Sequence, residues 1–132
     1  MKVLAVDYGS ARTGVAVSDS TGTIARPLGV VERAGSENGL AELAGLIRAE
    51  AAERVVVGLP LTLRGEHGAQ AKETERFLEA LRGAVDVPVE SFDERFTTGL
   101  AQTVGSDDAP EDARAAAHLL SSYLEWSSAG RE

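Results

Sequence analysis

Four acidic residues of this 132-residue chain stand where a carboxylate could do chemistry: Asp7, Asp93, Glu94 and Asp112. Asp7 ends the apolar run Val3-Leu4-Ala5-Val6, which reads as a strand buried on both faces. An unpaired carboxylate out of water is costly or takes up a proton, so an acid there calls for a metal, a basic partner or a substrate. Asp93 and Glu94 close the last apolar strand, and Asp112 falls in the first turn of the last helix. Strand ends of an α/β sheet converge on one edge. If the last helix starts at that edge, the three spots meet. Carboxylates ~4–6 Å apart repel by about 3–4 kcal/mol per pair at an effective dielectric of 20. A divalent cation removes that penalty. Hard oxygen donors select Mg2+ or Mn2+, ions that can hold the attacking and leaving oxygens of a phosphodiester. The expected chemistry is metal-dependent hydrolysis. Asp7, Asp93 or Glu94, and Asp112 are the candidates for its catalytic groups and metal ligands. Asp112, behind Pro110 and Glu111, would equally suit the positive end of a helix dipole.

Around these acids lie groups able to meet a polynucleotide. Tyr8, beside Asp7, could stack on a base. Gly9 and Gly14 bracket a turn where a phosphate could approach closely. Arg12 could bind a phosphate in bidentate fashion. Arg64 sits in a glycine-containing loop with Gly65, His67 and Gly68. Arg95 could hold a phosphate or neutralise Asp93. Thr97 and Thr98 could donate to substrate, or cap a helix. His118 lies six residues after Asp112, on a different side of the helix, and reads as an ordinary helical histidine. Tyr123 and Trp126 read as packing residues.

The elements that must position these groups follow from periodicity and turn chemistry. Strands are expected at 2–7, Thr13 to Ser18 and Pro27 to Val31, joined by short turns into an antiparallel meander. Ser36 caps a helix running to about Ala52, with Leu40, Leu43, Leu46 and Ile47 on one face. Arg54 to Leu59 is a buried strand. A loop from Leu61 to Gly68 leads to a helix over about Ala69 to Arg82. Val85 to Phe92 is the last strand. A short helix begins near Thr97, and Pro110 sits in the first turn of a helix reaching about Trp126. The tail from Ser127 reads as frayed. The order βββ-α-β-α-β-α implies a mixed sheet with helices on both faces.

Bulk properties bound the rest. The length fits one domain, residues 1–132. The chain has no cysteine, so thiol nucleophiles, zinc–thiolate sites and disulfides are all excluded. No apolar run approaches a membrane span, and the expectation is a cytoplasmic protein with no membrane partner. The net charge of −8 runs against simple phosphate binding, which needs a basic face. Cations held by the acids could supply the positive field.

Taken together, Asp7-Tyr8-Gly9 with Arg12 and Gly14, Val57-Gly58-Leu59-Pro60-Leu61, Asp93-Glu94-Arg95-Phe96-Thr97-Thr98, and Asp112-Ala113-Arg114-Ala115-Ala116-Ala117 followed by Leu119-Leu120 and Tyr123-Leu124 resemble the YqgF (RuvX) family. The likeness spans nearly the whole chain. It implies the ribonuclease-H-like superfold: a five-stranded mixed α/β sheet, three antiparallel strands then two parallel. It also implies a bacterial nuclease that matures the small-subunit (16S) rRNA precursor, with RNA ahead of DNA as substrate and ribosomal precursor particles as partners. Holliday-junction resolution and a non-catalytic nucleic-acid-binding role in ribosome assembly are the alternatives. The oligomer is left at monomer or homodimer. The family's acids carry over to Asp7, to Asp93 or Glu94, and to Asp112. Two departures stand out. Related resolvases of the RuvC type place an acid at the end of the strand after the first helix, where this chain has Gly58 and Leu59. The acid arrives one strand later, and Glu94, with the longer arm, is favoured over Asp93. The segment Val104 to Glu111 is short and acidic where family members often carry a longer basic loop. A second resemblance, to the phosphate-binding hairpin of actin-like ATPases and sugar kinases, needs two such domains, more than this length provides.

Overall fold

The computed structural model describes residues 1–60, 64–65, 67–94 and 108–128. Five strands form one sheet: β1 (Val3–Asp7), β2 (Arg12–Ser18), β3 (Ala25–Glu32), β4 (Arg54–Leu59) and β5 (Val89–Asp93), flanked by α1 (Glu37–Ala49), α2 (Ala69–Ala84) and α3 (Glu111–Ser128). The spatial order is β3-β2-β1-β4-β5. β1 pairs antiparallel with β2, and β2 with β3, while β1–β4 and β4–β5 are parallel. The short links after β1 and β2 permit only hairpins. The two parallel pairings each need a crossover, which α1 and α2 provide.

Strand alternation divides the core into two layers. Leu4, Val6, Val15, Val31, Val55, Val57 and Val89 face α1 and α2, where they meet Leu43, Ile47, Phe77 and Leu81. Val3, Ala5, Ala16, Ala25, Val56 and Phe92 face α3 and its Ala116, Leu120 and Tyr123. Small residues on this second layer let α3 lie close to the sheet. Ser36 caps α1 as expected: its Oγ accepts from Gly39 N at 3.1 Å.

Some boundaries differ from expectation for local reasons. β5 opens at Val89 rather than Val85, because Pro88 has no N–H to give a ladder; its carbonyl still accepts from Val55 N at 2.9 Å. Pro110 precedes α3 instead of lying inside it, with its carbonyl accepting from Arg114 N at 3.0 Å. α3 continues through Ser127 and Ser128, past the expected fraying point. The short helix near Thr97 lies outside the described residues. No described helix is long and apolar enough to cross a membrane.

Candidate active site

The site forms at the carboxyl edge of β1, on the layer covered by α3. Asp7 continues the alternation of Val3 and Ala5, so its side chain leaves the sheet toward α3. Opposite it in the ladder is Gly14 of β2. A Cβ on Gly14 would stand 1.8 Å from the backbone oxygen of Asp112. Only a glycine lets the first turn of α3 settle onto β2 at that place, and this brings Asp112 to the edge where Asp7 ends.

Glu94 arrives from the other side. β4 separates β5 from β1, so an acid after β5 must cross one strand to reach Asp7. Gly58 of β4 opens the crossing: a Cβ there would lie 2.6 Å from Glu94 Oε2 and 2.9 Å from Leu119 Cδ2. Through this gap the Glu94 carboxyl makes a hydrogen bond with the Asp7 carboxyl. Two carboxyls can share a hydrogen bond only if one is protonated. Burial, followed by the charge of Asp7, pushes Glu94 up to about 7. Burial also raises Asp7, with Asp112 adding to the shift and the bond from Glu94 opposing it. Both carboxyls are thereby held toward their neutral forms, and they titrate as a pair.

Asp7 and Glu94 line a concavity of about 320 Å³ together with Ala115, His118 and Leu119 of α3. His118 was expected to be an ordinary helical residue, and its angular distance from Asp112 is real. The concavity, however, is walled by the stripe through Ala115, His118 and Leu119, which recur at helical spacing. Measuring His118 from Ala115 rather than from Asp112 is the sequence signal that would have found it.

Other expected site residues are placed elsewhere. Asp93 follows the opposite alternation from Phe92 and is directed to the α1/α2 layer, away from Asp7. At the site its negative charge raises Glu94. Strand alternation thus sets Glu94, rather than Asp93, beside Asp7. Tyr8, next to Asp7 in sequence, likewise turns to the far layer. It stacks on Phe77 with centroids 4.4 Å apart, and its hydroxyl donates to Glu73 at 3.0 Å. It is thus engaged in packing rather than available to a base beside Asp7. Gly9 serves the β1–β2 turn: a Cβ would sit 2.4 Å from the Arg12 carbonyl oxygen, and Thr13 Oγ1 donates back to Gly9 O at 3.2 Å. Arg12 pairs with Asp112, Nε to Oδ2 at 3.0 Å, with both side chains substantially exposed. Arg64 is exposed in the β4–α2 connection. Arg95, Thr97 and Thr98 lie outside the described residues.

Among the described residues, no group of three or more His, Cys, Asp or Glu side chains is gathered closely enough to hold a metal ion. Two of the three expected acids are joined, and the third is close enough to raise Asp7 but is held by Arg12. In type the donors suit a hard divalent cation: two neighbouring carboxyls, with a third acid one ion pair away.

A family profile described as RuvX, Holliday junction resolvase, matches residues 1–126. A protein of Chloroflexus aggregans named "Putative pre-16S rRNA nuclease" is 46% identical over 100 residues, 76% of this chain and 70% of that one. One of Syntrophomonas wolfei with the same name is 34% identical over 140 residues, covering 100% of this chain and 99% of its own. Among solved structures, Thermus thermophilus RuvC in complex with a Holliday junction substrate superposes with a TM-score of 0.68 at 19% identity, over 98% of this chain and 96% of that one. That likeness is one of fold.

Proposed function

This chain belongs to the RuvX family, and from that premise we propose that it is a divalent-metal-dependent nuclease whose substrate is RNA, in the maturation of the small-subunit rRNA precursor. The observation that carries the reading is the Asp7–Glu94 carboxyl pair on the wall of an open concavity. A half-buried pair of acids weakens a fold, and its place at a strand edge points to a site that uses the charge.

Asp7 and Glu94 would hold the cation, and Asp112 would complete its ligands. When bound, Mg2+ or Mn2+ would supply Lewis-acid stabilisation of the charge that builds on the phosphoryl oxygens. The chain's own residues do the rest. Asp7 is fixed by the β1 ladder, so the position of one carboxylate does not depend on substrate. Glu94 is held against it through the Gly58 gap. Leu119 and Ala115 give the concavity a partly apolar wall, which limits water and strengthens charge interactions beside it. His118, exposed on the same wall, faces the space a nucleotide would occupy. RNA is favoured because curated relatives are named for pre-16S rRNA. The family's own description favours a second reading, cleavage of branched DNA.

Purified protein should be assayed on structured RNA, single-stranded RNA and four-way DNA junctions, each with Mg2+, Mn2+ or chelator. Cation-dependent RNA cleavage that Asp7→Asn abolishes is expected. Cleavage confined to junctions would favour the DNA reading. RNA affinity without any cleavage would identify a binding module instead.

A further inference from the structure

The third acid is not at the pair. Asp112 is held by Arg12, with Nε 3.0 Å from Oδ2, and among the described residues no three acids converge on one point. Neither partner can leave by moving its backbone. Arg12 opens β2 and is registered against Glu32 of β3. The Asp112 main chain rests against Gly14, where even one methyl group would not fit. Whatever exchange occurs between Asp112 and Arg12 is therefore a side-chain rotation. Arg12, Gly14 and Ala16 alternate onto the α3 layer, so the guanidinium lies on the same side of the sheet as Asp7. An exposed ion pair of this kind adds little stability and is readily exchanged. A phosphodiester offers the guanidinium a better partner, since two of its oxygens match the arginine fork.

We propose that Arg12 is a latch on the third carboxylate: it holds Asp112 off the Asp7–Glu94 pair, and a phosphate of the nucleic acid releases Asp112 by taking its place. The full ligand set then assembles only with substrate present. Arg12 acts here as a positioning residue, and the inference rests on the nuclease reading above. It adds an order of events to that reading: nucleic acid first, complete cation coordination second.

The test measures cation affinity without turnover. Mn2+ binding is followed by titration calorimetry and paramagnetic resonance in the absence of nucleic acid, for wild type, Arg12→Gln, Asp112→Asn, their double variant and Asp7→Asn. The latch predicts about twofold to fivefold tighter binding in Arg12→Gln, the scale of an exposed ion pair. It also predicts that this gain vanishes in the Asp112→Asn background. A general effect of removing a positive charge would persist there and would overturn the latch, as would unchanged affinity in Arg12→Gln. Loss of binding in Asp7→Asn alongside either result keeps the cation centre and rejects only the latch. Failure of every variant to bind Mn2+ rejects both. Wild-type protein provides a readout that needs no variant. Adding a non-cleavable phosphorothioate oligonucleotide with Mg2+ should move the Arg12 Nε–H resonance as its partner changes from carboxylate to phosphate. A resonance that stays in place contradicts the exchange.

Discussion

At the scale of single residues, the site depends on two neighbouring carboxyls that burial pushes toward their neutral forms. Asp7 is fixed by its strand, and Glu94 is raised to about 7 by burial and by Asp7. The consequence for stability has a definite sign. Between the ordinary carboxylate value of 4.5 and about 7, the folded chain keeps a proton that the unfolded chain has released, so stability falls as pH rises through that window. The raised Asp7 acts in the same direction. Without metal, Glu94→Gln should melt higher than wild type at pH 8, by on the order of 1 kcal/mol for a group partly screened by solvent. The gap should close near pH 4, and thermal melts at the two pH values check it. A variant no more stable than wild type at pH 8 would mean that Glu94 carries no strain. Asp7 was legible in the sequence because a charge at the end of a fully apolar strand is conspicuous. The choice of Glu94 over Asp93 followed from reach, and strand alternation supplies a second reason. Tyr8 packs away from Asp7 because adjacency in sequence is opposition across a strand: a neighbour of Asp7 must face the other layer.

At the scale of elements, two glycines do what no periodicity could announce. Gly14 and Gly58 both sit inside strands, where glycine often marks a close approach by another group. The sequence shows them as turn punctuation and as part of a family motif, but not what approaches. In the fold, Gly14 seats the backbone of α3, whereas Gly58 admits the side chain of Glu94. The difference predicts opposite penalties. In Gly14→Ala the new methyl meets main chain at 1.8 Å, so the start of α3 must move. Stability should drop by about 1–3 kcal/mol or more. In Gly58→Ala the methyl meets side-chain atoms of Glu94 and Leu119 rather than main chain. Its stability cost should stay below about 1 kcal/mol, while displacement of Glu94 should slow cleavage by about 10–100-fold. Denaturant midpoints and single-turnover rates separate the two, and a reversed pattern would show that the gap does not serve Glu94. The helix and strand positions themselves were largely readable, because Leu43 and Ile47 or Val55 to Val57 declare their periods. β5 was drawn too long at its start, since valines at 85 and 87 carry strand propensity while Pro88 interrupts the ladder.

At the scale of the whole molecule, the meander followed from short turns, and the insertion of β4 beside β1 required the family resemblance. Hydrophobic pattern alone does not say which edge a returning strand joins. That insertion makes the site composite, since β1, β2, the residue after β5 and the start of α3 are brought to one edge from positions 7 to 112 in the chain. Under the proposed function, a net charge of −8 is compatible with nucleic-acid chemistry: cations gathered by the acids would face the polyanion, with Arg12 on the rim. The account stands or falls on whether Asp7 and Glu94 act as one unit, and a double-mutant cycle measures that directly. Single-turnover RNA cleavage in saturating Mg2+ or Mn2+ should be compared for wild type, Asp7→Asn, Glu94→Gln and the combined variant. Residues of one catalytic unit are not additive. Each single substitution should lower the rate by at least about 100-fold, with the pair scarcely worse than either alone. Cleavage that survives Asp7→Asn, or losses that simply multiply, would contradict a shared centre at this edge.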